Sequence, residues 1–188
     1  MSGAKAVCDA LCTYFGGPYD AATHTYRTPA VTVAGLDGPI FRRGSPKRDD
    51  HTSDYGLGAP GLTAGCLVLI LAERGQEKRV AMAGATSGLK LVTWTVRMHC
   101  FFRSTASYAE DLQDAIYDLL DAVRARIEAD RTCGTGGFEA GYGVGFQVGE
   151  GGEPWISWDI SPVMTIPDKD LSKGYLVIQY AADQYIQA

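Results

Sequence analysis

Residues 90–131 read KLVTWTVRMHCFFRSTASYAEDLQDAIYDLLDAVRARIEADR, and the fold turns on this stretch. Within it, Val92, Trp94, Val96, Met98, Cys100 and Phe102 occupy one parity, and Thr93, Thr95, Arg97 and His99 the other. Period-two alternation built from β-branched and aromatic residues gives a strand buried on one face. After Arg103–Ala106 the period changes. Tyr108, Leu112, Ile116, Leu119, Leu120, Val123 and Ile127 recur at steps of four, three and one, a single apolar stripe on a helix. Ser107 followed by Glu110 is a capping-box pattern at its start. Asp111, Asp114, Asp118 and Asp121 lie off the stripe, and Arg124, Arg126 and Arg131 follow toward the other end, a charge order that suits the helix dipole. Such a helix lays its stripe on the apolar face of a sheet that contains the preceding strand. The expected fold class is α+β, a mixed, mostly antiparallel β-sheet packed against this one long helix and an N-terminal helix.

Working outward, Ala4–Phe15 reads as that N-terminal helix. Val7, Leu11, Tyr14 and Phe15 form its stripe, and Gly16-Gly17-Pro18 ends it. A short extended piece is expected at Ala30–Leu36. The surrounding residues are rich in proline and glycine, and Asp37–Ala64 reads as a long loop or arm of mixed charge. Loops longer than about 12–15 residues inside compact domains are usually functional or disordered. Gly65–Ala72 (GCLVLILA) is continuously apolar and reads as a strand buried on both faces or set in a subunit contact. Glu73–Lys78, with Gly75, is expected to be a turn. Arg79–Ala83 is a partner strand, and Gly84–Gly88 a second turn, giving a three-stranded meander. Beyond the long helix, Tyr142–Val148 is expected as a glycine-weakened strand or hairpin, then strands at Trp155–Ile160 and Gly174–Ala181. The final DQYIQA is apolar enough to pair or pack. One domain over residues 1–188, with an arm at about 37–64, accounts for the whole chain.

Composition narrows the function. The net charge of −5 argues against a dedicated nucleic-acid binder, which would carry a basic face. Five cysteines (Cys8, Cys12, Cys66, Cys100, Cys133) are an odd number without framework spacing, so buried free thiols in a reducing compartment are expected. Cys8 and Cys12 have a helical spacing that could serve a metal, but no set of further ligands accompanies them. No run reaches the ~20 apolar residues of a membrane span, and a soluble cytosolic chain is expected. His24 and His51 fall in loops. His99 neighbours Cys100, but adjacent strand residues point to opposite faces, so it is badly placed to activate that thiol. The glycines of Gly134–Gly152 lack Gly-Lys-Ser/Thr and are not a phosphate loop. With no catalytic or metal motif, the expectation is a non-enzyme without cofactors.

The strand VTWTVRMHCFFRS, the helix opening YAEDLQDAIYDLLDAV, a glycine-rich turn, WISWDI, and a closing strand ending YIQA together resemble the tail terminator proteins of long-tailed bacteriophages, in particular those infecting actinobacteria. The resemblance covers roughly Gly65–Ala188, and the loop from Asp37 to Ala64 departs from it. It implies a structural virion protein, assembled in the host cytoplasm, that forms a ring, six-membered in the family. The ring ends the tail tube and joins the tail to the neck below the head. Implied partners are further copies of the chain, the tail tube protein and a neck or head-completion protein. Genomic DNA would pass through the centre without specific binding, for which an acidic subunit is suited. Arg42, Arg43, Lys47, Arg48, Tyr185 and Ile186 are the candidate subunit or neighbour contacts. Two other readings stay open: a different head–tail connector component (adaptor, stopper or tail-completion protein), and a small cytosolic enzyme or ligand-binding domain with a pocket near Gly134–Gly152.

Overall fold

The computed structural model of the chain describes residues 3–22, 24–26, 29–44, 64–82, 88–106, 108–149, 156–166 and 171–187. Along the chain these form α1 (Ala4–Gly16), β1 (Tyr19–Asp20), β2 (Thr25–Tyr26), β3 (Leu36–Arg43), β4 (Ala64–Met82), β5 (Gly88–Ser104), α2 (Ala109–Ala129), β6 (Gln147–Val148), β7 (Ile156–Ile166) and β8 (Leu171–Gln187). A short 3-10 turn at Gly137–Ala140 follows α2. All strands join one sheet in the order β1-β2-β3-β4-β5-β8, with β7 and β6 sharing the far side of β8. Only β3 and β4 pair in parallel; the other pairs are antiparallel. The α+β class with a mostly antiparallel sheet is therefore observed.

The even parity of β5 goes to the core as its sequence dictates. Val92, Val96, Met98, Cys100 and Phe102 are buried, and Trp94 packs partly buried against them. From α2, Leu112, Ala115, Ile116, Leu119, Leu120, Val123 and Ile127 close over this face. From β4 and β8, Cys66, Val68, Ile70, Leu176, Ile178 and Tyr180 complete the same cluster. Each large apolar side chain buried here contributes about 1.5–3 kcal/mol relative to exposure. α2 lies over β8, β7 and β5, while α1 covers β3 and β4 with Val7, Leu11, Cys12 and Phe15. Arg126 ties the helices together: its guanidinium donates to the Tyr14 carbonyl at 3.0–3.2 Å, and the Tyr14 hydroxyl donates to the Arg126 carbonyl at 2.9 Å.

The structure changes five expectations. First, the extended piece lies at Leu36–Arg43, not Ala30–Leu36, so the arm begins later than Asp37. Leu36, Ile40 and Phe41 are buried, and Gly38-Pro39 falls where the register shifts between Asp37 and Ile40. An interruption of the ladder is where a residue without N–H is tolerated. Parallel neighbours need a crossover of a dozen or more residues. Residues 45–63, most of the segment read as an arm, link β3 to β4 and lie outside the described set. Second, Glu73–Lys78 is not a turn: β4 runs straight through it, and β4 with β5 makes one long hairpin. Gly75 sits opposite Trp94, and a Cβ there would lie 2.7 Å from the indole. The glycine makes room for a ring; it does not reverse the chain. Third, the N-cap of α2 is Tyr108, with no side-chain cap hydrogen bond, and Tyr108 is exposed instead of joining the stripe. Ser107 lies outside the described residues. Fourth, the expected hairpin at Tyr142–Val148 shrinks to the two residues of β6. Gly141 and Gly143 take φ of 104° and 74°, which breaks extended structure. Fifth, the last two strands are longer than expected. β7 reaches Ile166, with Trp155 outside the described residues, and β8 runs to Gln187, pairing the closing residues with β5.

The bare face of the sheet as a candidate interface

Both helices lie on one side of the sheet, and the other side carries no helix among the described residues. Its outer end holds a small apolar cluster, Ile40, Leu67 and Leu69 with Phe101 packed against it. Further along, the odd parity of β5 meets the matching residues of β8 and β4 in a polar ladder. The bulge between Ala72 and Arg74 gives β4 one extra residue against Val96 and Thr95. That extra residue is Glu73, which by alternation already shares the bare face with Leu67 and Leu69, and the bulge brings Arg74 onto the same face, level with Thr95. Glu73 Oε2 lies 2.8 Å from Arg97 Nη1, and Glu73 Oε1 3.3 Å from His99 Nε2. The Tyr175 hydroxyl is 2.6 Å from His99 Nδ1, and Arg97 Nε donates to Gln179 Oε1 at 2.8 Å. A carboxylate only accepts, so Nε2 carries a proton, and in the neutral imidazole Nδ1 then accepts from the tyrosine. Beyond the ladder, the Thr93 hydroxyl donates to the fully buried Asp183.

This arrangement is a chain of satisfied partners, not an acid–base pair poised beside a reactive group. A groove of about 390 Å³ runs along it between Arg74, Gln76, Thr95, Ser157 and Gln179. A second groove of about 430 Å³, more apolar, lies by Phe101, Pro162, Met164 and Tyr175. His99 and Cys100 point to opposite faces, as the strand requires: Cys100 is fully buried, His99 belongs to the ladder. All five cysteines are free and buried. Burial pushes each thiol pKa up, that of Cys133 to about 12. Thiols held neutral in this way are poor nucleophiles and metal ligands. Among the described residues, no three His, Cys, Asp or Glu side chains are grouped to hold a metal, and no helix is long and apolar enough to cross a membrane.

The four candidate contact residues that are described, Arg42, Arg43, Tyr185 and Ile186, do not come together. Arg42 is buried on β3, level with Leu69. Arg43 makes an ion pair with Asp9 of α1, which also accepts from the Tyr26 hydroxyl at 3.3 Å; it clamps β3 to its own helix. Placing Arg42 and Arg43 in a loop is thus corrected: both belong to a strand whose packing uses them. Lys47 and Arg48 lie outside the described residues. Tyr185 and Ile186 are half-buried near the end of β8, on the opposite side of the sheet from β3. The Tyr185 ring meets Phe138 edge-on at 4.7 Å, and its carbonyl accepts from Gly143 N. The glycine segment does border a cavity of about 540 Å³, between α1 and the end of α2, lined by Asp9, Thr13, Tyr14, Arg126 and Cys133. The ladder was half visible in sequence, as the polar parity Thr93, Thr95, Arg97 and His99. Its partners on β4 and β8 depend on register, which no local pattern gives. No known family model matches the chain, and no curated protein matches it.

Proposed function

We propose that this chain is a structural subunit of a phage virion, a ring former at the tail–neck junction that ends the tail tube and joins it to the head. The observation that carries the reading is the exposed, charged half of β4. Glu73–Val80 is exposed throughout, on a strand whose edge is unpaired among the described residues beyond Ile70. Eight residues of solvated ribbon add nothing to a core, and a sheet that among the described residues is bare on one side and open at its edges is material for assembly. Tail tube protein and a neck protein are the neighbours in this reading. The acidic balance, −5 over the chain, suits a conduit that DNA crosses without sticking. Deleting the gene from a phage genome tests this: filled heads should accumulate beside unjoined tails of abnormal length. Normal infectious particles from the deletion, or tight salt-sensitive binding of duplex DNA by the purified protein, would overturn it.

A further inference from the structure

The groove of about 390 Å³ on the bare face takes its shape from three rows of the sheet. In the first row Leu71, Arg97, Gln179 and Ser157 stand level across β4, β5, β8 and β7. In the second, Arg74 stands level with Thr95 and Ala181, and in the third Gln76 with Thr93 and Asp183. Thr95 and Ala181 are short, so the second row is a trough between rows of longer side chains. The polar groups around it are unevenly engaged. Both oxygens of Glu73 are taken, one by Arg97 Nη1 at 2.8 Å and the other by His99 Nε2 at 3.3 Å. Gln179 Oε1 accepts from Arg97 Nε at 2.8 Å, which leaves the Gln179 amide nitrogen to donate. Arg97 Nη2, the Arg74 guanidinium and the hydroxyls of Thr95 and Ser157 have no partner among the described residues. Donors are in surplus. The charged lining is one carboxylate, Glu73, and two guanidinium groups, Arg74 and Arg97, a net of +1 in a chain of −5. Asp183 is fully buried, receives the Thr93 hydroxyl and does not line the groove. Asp159 and Lys78, of opposite sign, each stand one row beyond the walls, at either end.

We propose that this groove binds an aspartate or glutamate side chain of a partner protein. Surplus donors select an acceptor, and an arginine offers its N–H groups in the planar fork that a carboxylate matches. The charge sets the valence of the ligand. One carboxylate neutralises a net of +1, whereas a phosphate monoester, at about −1.5 to −2, overshoots it. The volume sets what the carboxylate is attached to. About 390 Å³ holds far more than the acid group, so the stem of the side chain and the backbone that bears it enter the trough too. There the Gln76 amide and the hydroxyls of Thr95 and Ser157 are available to its peptide groups. Glu73 and Gln179 act as positioning residues. They hold the Arg97 guanidinium at two of its nitrogens before a ligand arrives, which lowers the ordering cost of binding. The site is independent of the ring reading, since the same groups recognise a carboxylate in any assembly.

Titration of the full chain with the peptide acetyl-Gly-Glu-Gly-amide, followed by nuclear magnetic resonance, tests the site. The backbone amide signals of Thr95, Ser157 and Ala181 and the Arg97 Nε signal should shift saturably. Acetyl-Gly-Gln-Gly-amide, of the same shape without the charge, should leave them in place. Arg74→Gln, a change on the exposed part of β4, should melt like the parent and weaken binding about tenfold or more, as loss of a charge-assisted hydrogen bond does. Ser157→Ala, on exposed β7 and remote from the core, is the second variant and should weaken binding about threefold. No saturable shift with the glutamate peptide, equal binding of the glutamine peptide, or undiminished affinity in both variants would each overturn the proposal. Inorganic phosphate and acetate are the remaining probes, and both should bind more weakly than the glutamate peptide. Tighter binding of phosphate would refute the valence, and acetate binding as tightly as the peptide would refute a protein segment as the occupant.

Discussion

Ala64–Ile70 and Glu73–Val80 are parts of one strand, yet the first seven residues are all buried and the last eight all exposed. One strand runs through both, with a bulge between Ala72 and Arg74, and the partner β5 is the same for both. What differs is the surroundings. The first half has β3 on its other edge, α1 over one face and the Ile40–Leu67–Leu69 cluster on the other. The second half has β5 and nothing else among the described residues. Apolar sequence marks where a strand is enclosed, and charge marks where it runs on past its enclosure. Strand length is set by backbone pairing, and burial by what is stacked around it.

The largest effect that separates the halves is alkaline destabilisation. All five thiols sit in the enclosed part of the molecule, Cys66 on β4 itself, and the exposed half has none. Burial raises each thiol pKa in the folded state above its unfolded value of about 8.5. A raised folded pKa means the stabilisation is complete below about pH 8.5 and is lost as pH rises toward the folded values. The fully buried Tyr180 hydroxyl, also pushed up by burial, acts in the same direction at higher pH. The denaturant midpoint should therefore be flat near neutrality and fall steadily above pH ~8.5. Cys66→Val and Cys100→Val should each flatten that fall. A midpoint independent of pH up to 10 would show that the thiols are not enclosed as described.

Next in size are truncations in the core. Ile70→Ala on β4 and Leu119→Ala on α2 remove fully buried side chains from one cluster and should each cost ~2–5 kcal/mol. Gln76→Ala, six residues along the same strand, should stay within about 0.5 kcal/mol in the unassembled protein. Chemical denaturation at low protein concentration checks all three. Equal losses at Ile70 and Gln76 would erase the distinction between the halves.

The enclosed half was legible in sequence, and the boundary was not. The alternation of Val92–Phe102, the stripe Leu112–Ile127 and the run GCLVLILA are local patterns of side-chain burial, and they found their places. Glu73–Lys78 misled because a glycine among charged residues has the composition of a turn. Its role here is set by Trp94, opposite it through the hairpin register. β3 was hidden for a similar reason: Gly38-Pro39 reads as loop, while pairing with β4 makes it strand. Arg43 looked like a free cation because Asp9, its partner, is thirty-four residues away in sequence. The polar ladder needed the register of three strands at once.

Gly75 is where the boundary can be moved. A methyl at this position would meet the Trp94 ring at 2.7–3.4 Å. Gly75→Ala should cost about 1–3 kcal/mol through overpacking and shift the tryptophan emission as the ring gives way. Gly75→Ala combined with Trp94→Leu should recover most of the loss specific to the clash. If Gly75→Ala is neutral and the emission unmoved, the indole does not rest on the strand, and the exposed half is held to β5 by backbone pairing alone.

The smallest expected effect is in the ladder. Glu73→Gln removes the charge that Arg97 and His99 share but keeps an oxygen that can still accept from His99 Nε2. Arg97 retains Gln179, and its side chain is 43% exposed against 34% for Glu73. A pair so open to water contributes at most about 1 kcal/mol. The difference between parent and variant should also shrink as salt is added, since screening acts on exposed pairs. Nitrogen chemical shifts of the imidazole report on the ladder directly: Nε2 should remain the protonated nitrogen while Tyr175 continues to donate to Nδ1. A loss above about 2 kcal/mol that salt does not reduce is the behaviour of a pair shut away from water. The bare face would then be as enclosed as the helical one, and the contrast along β4 would owe nothing to solvent.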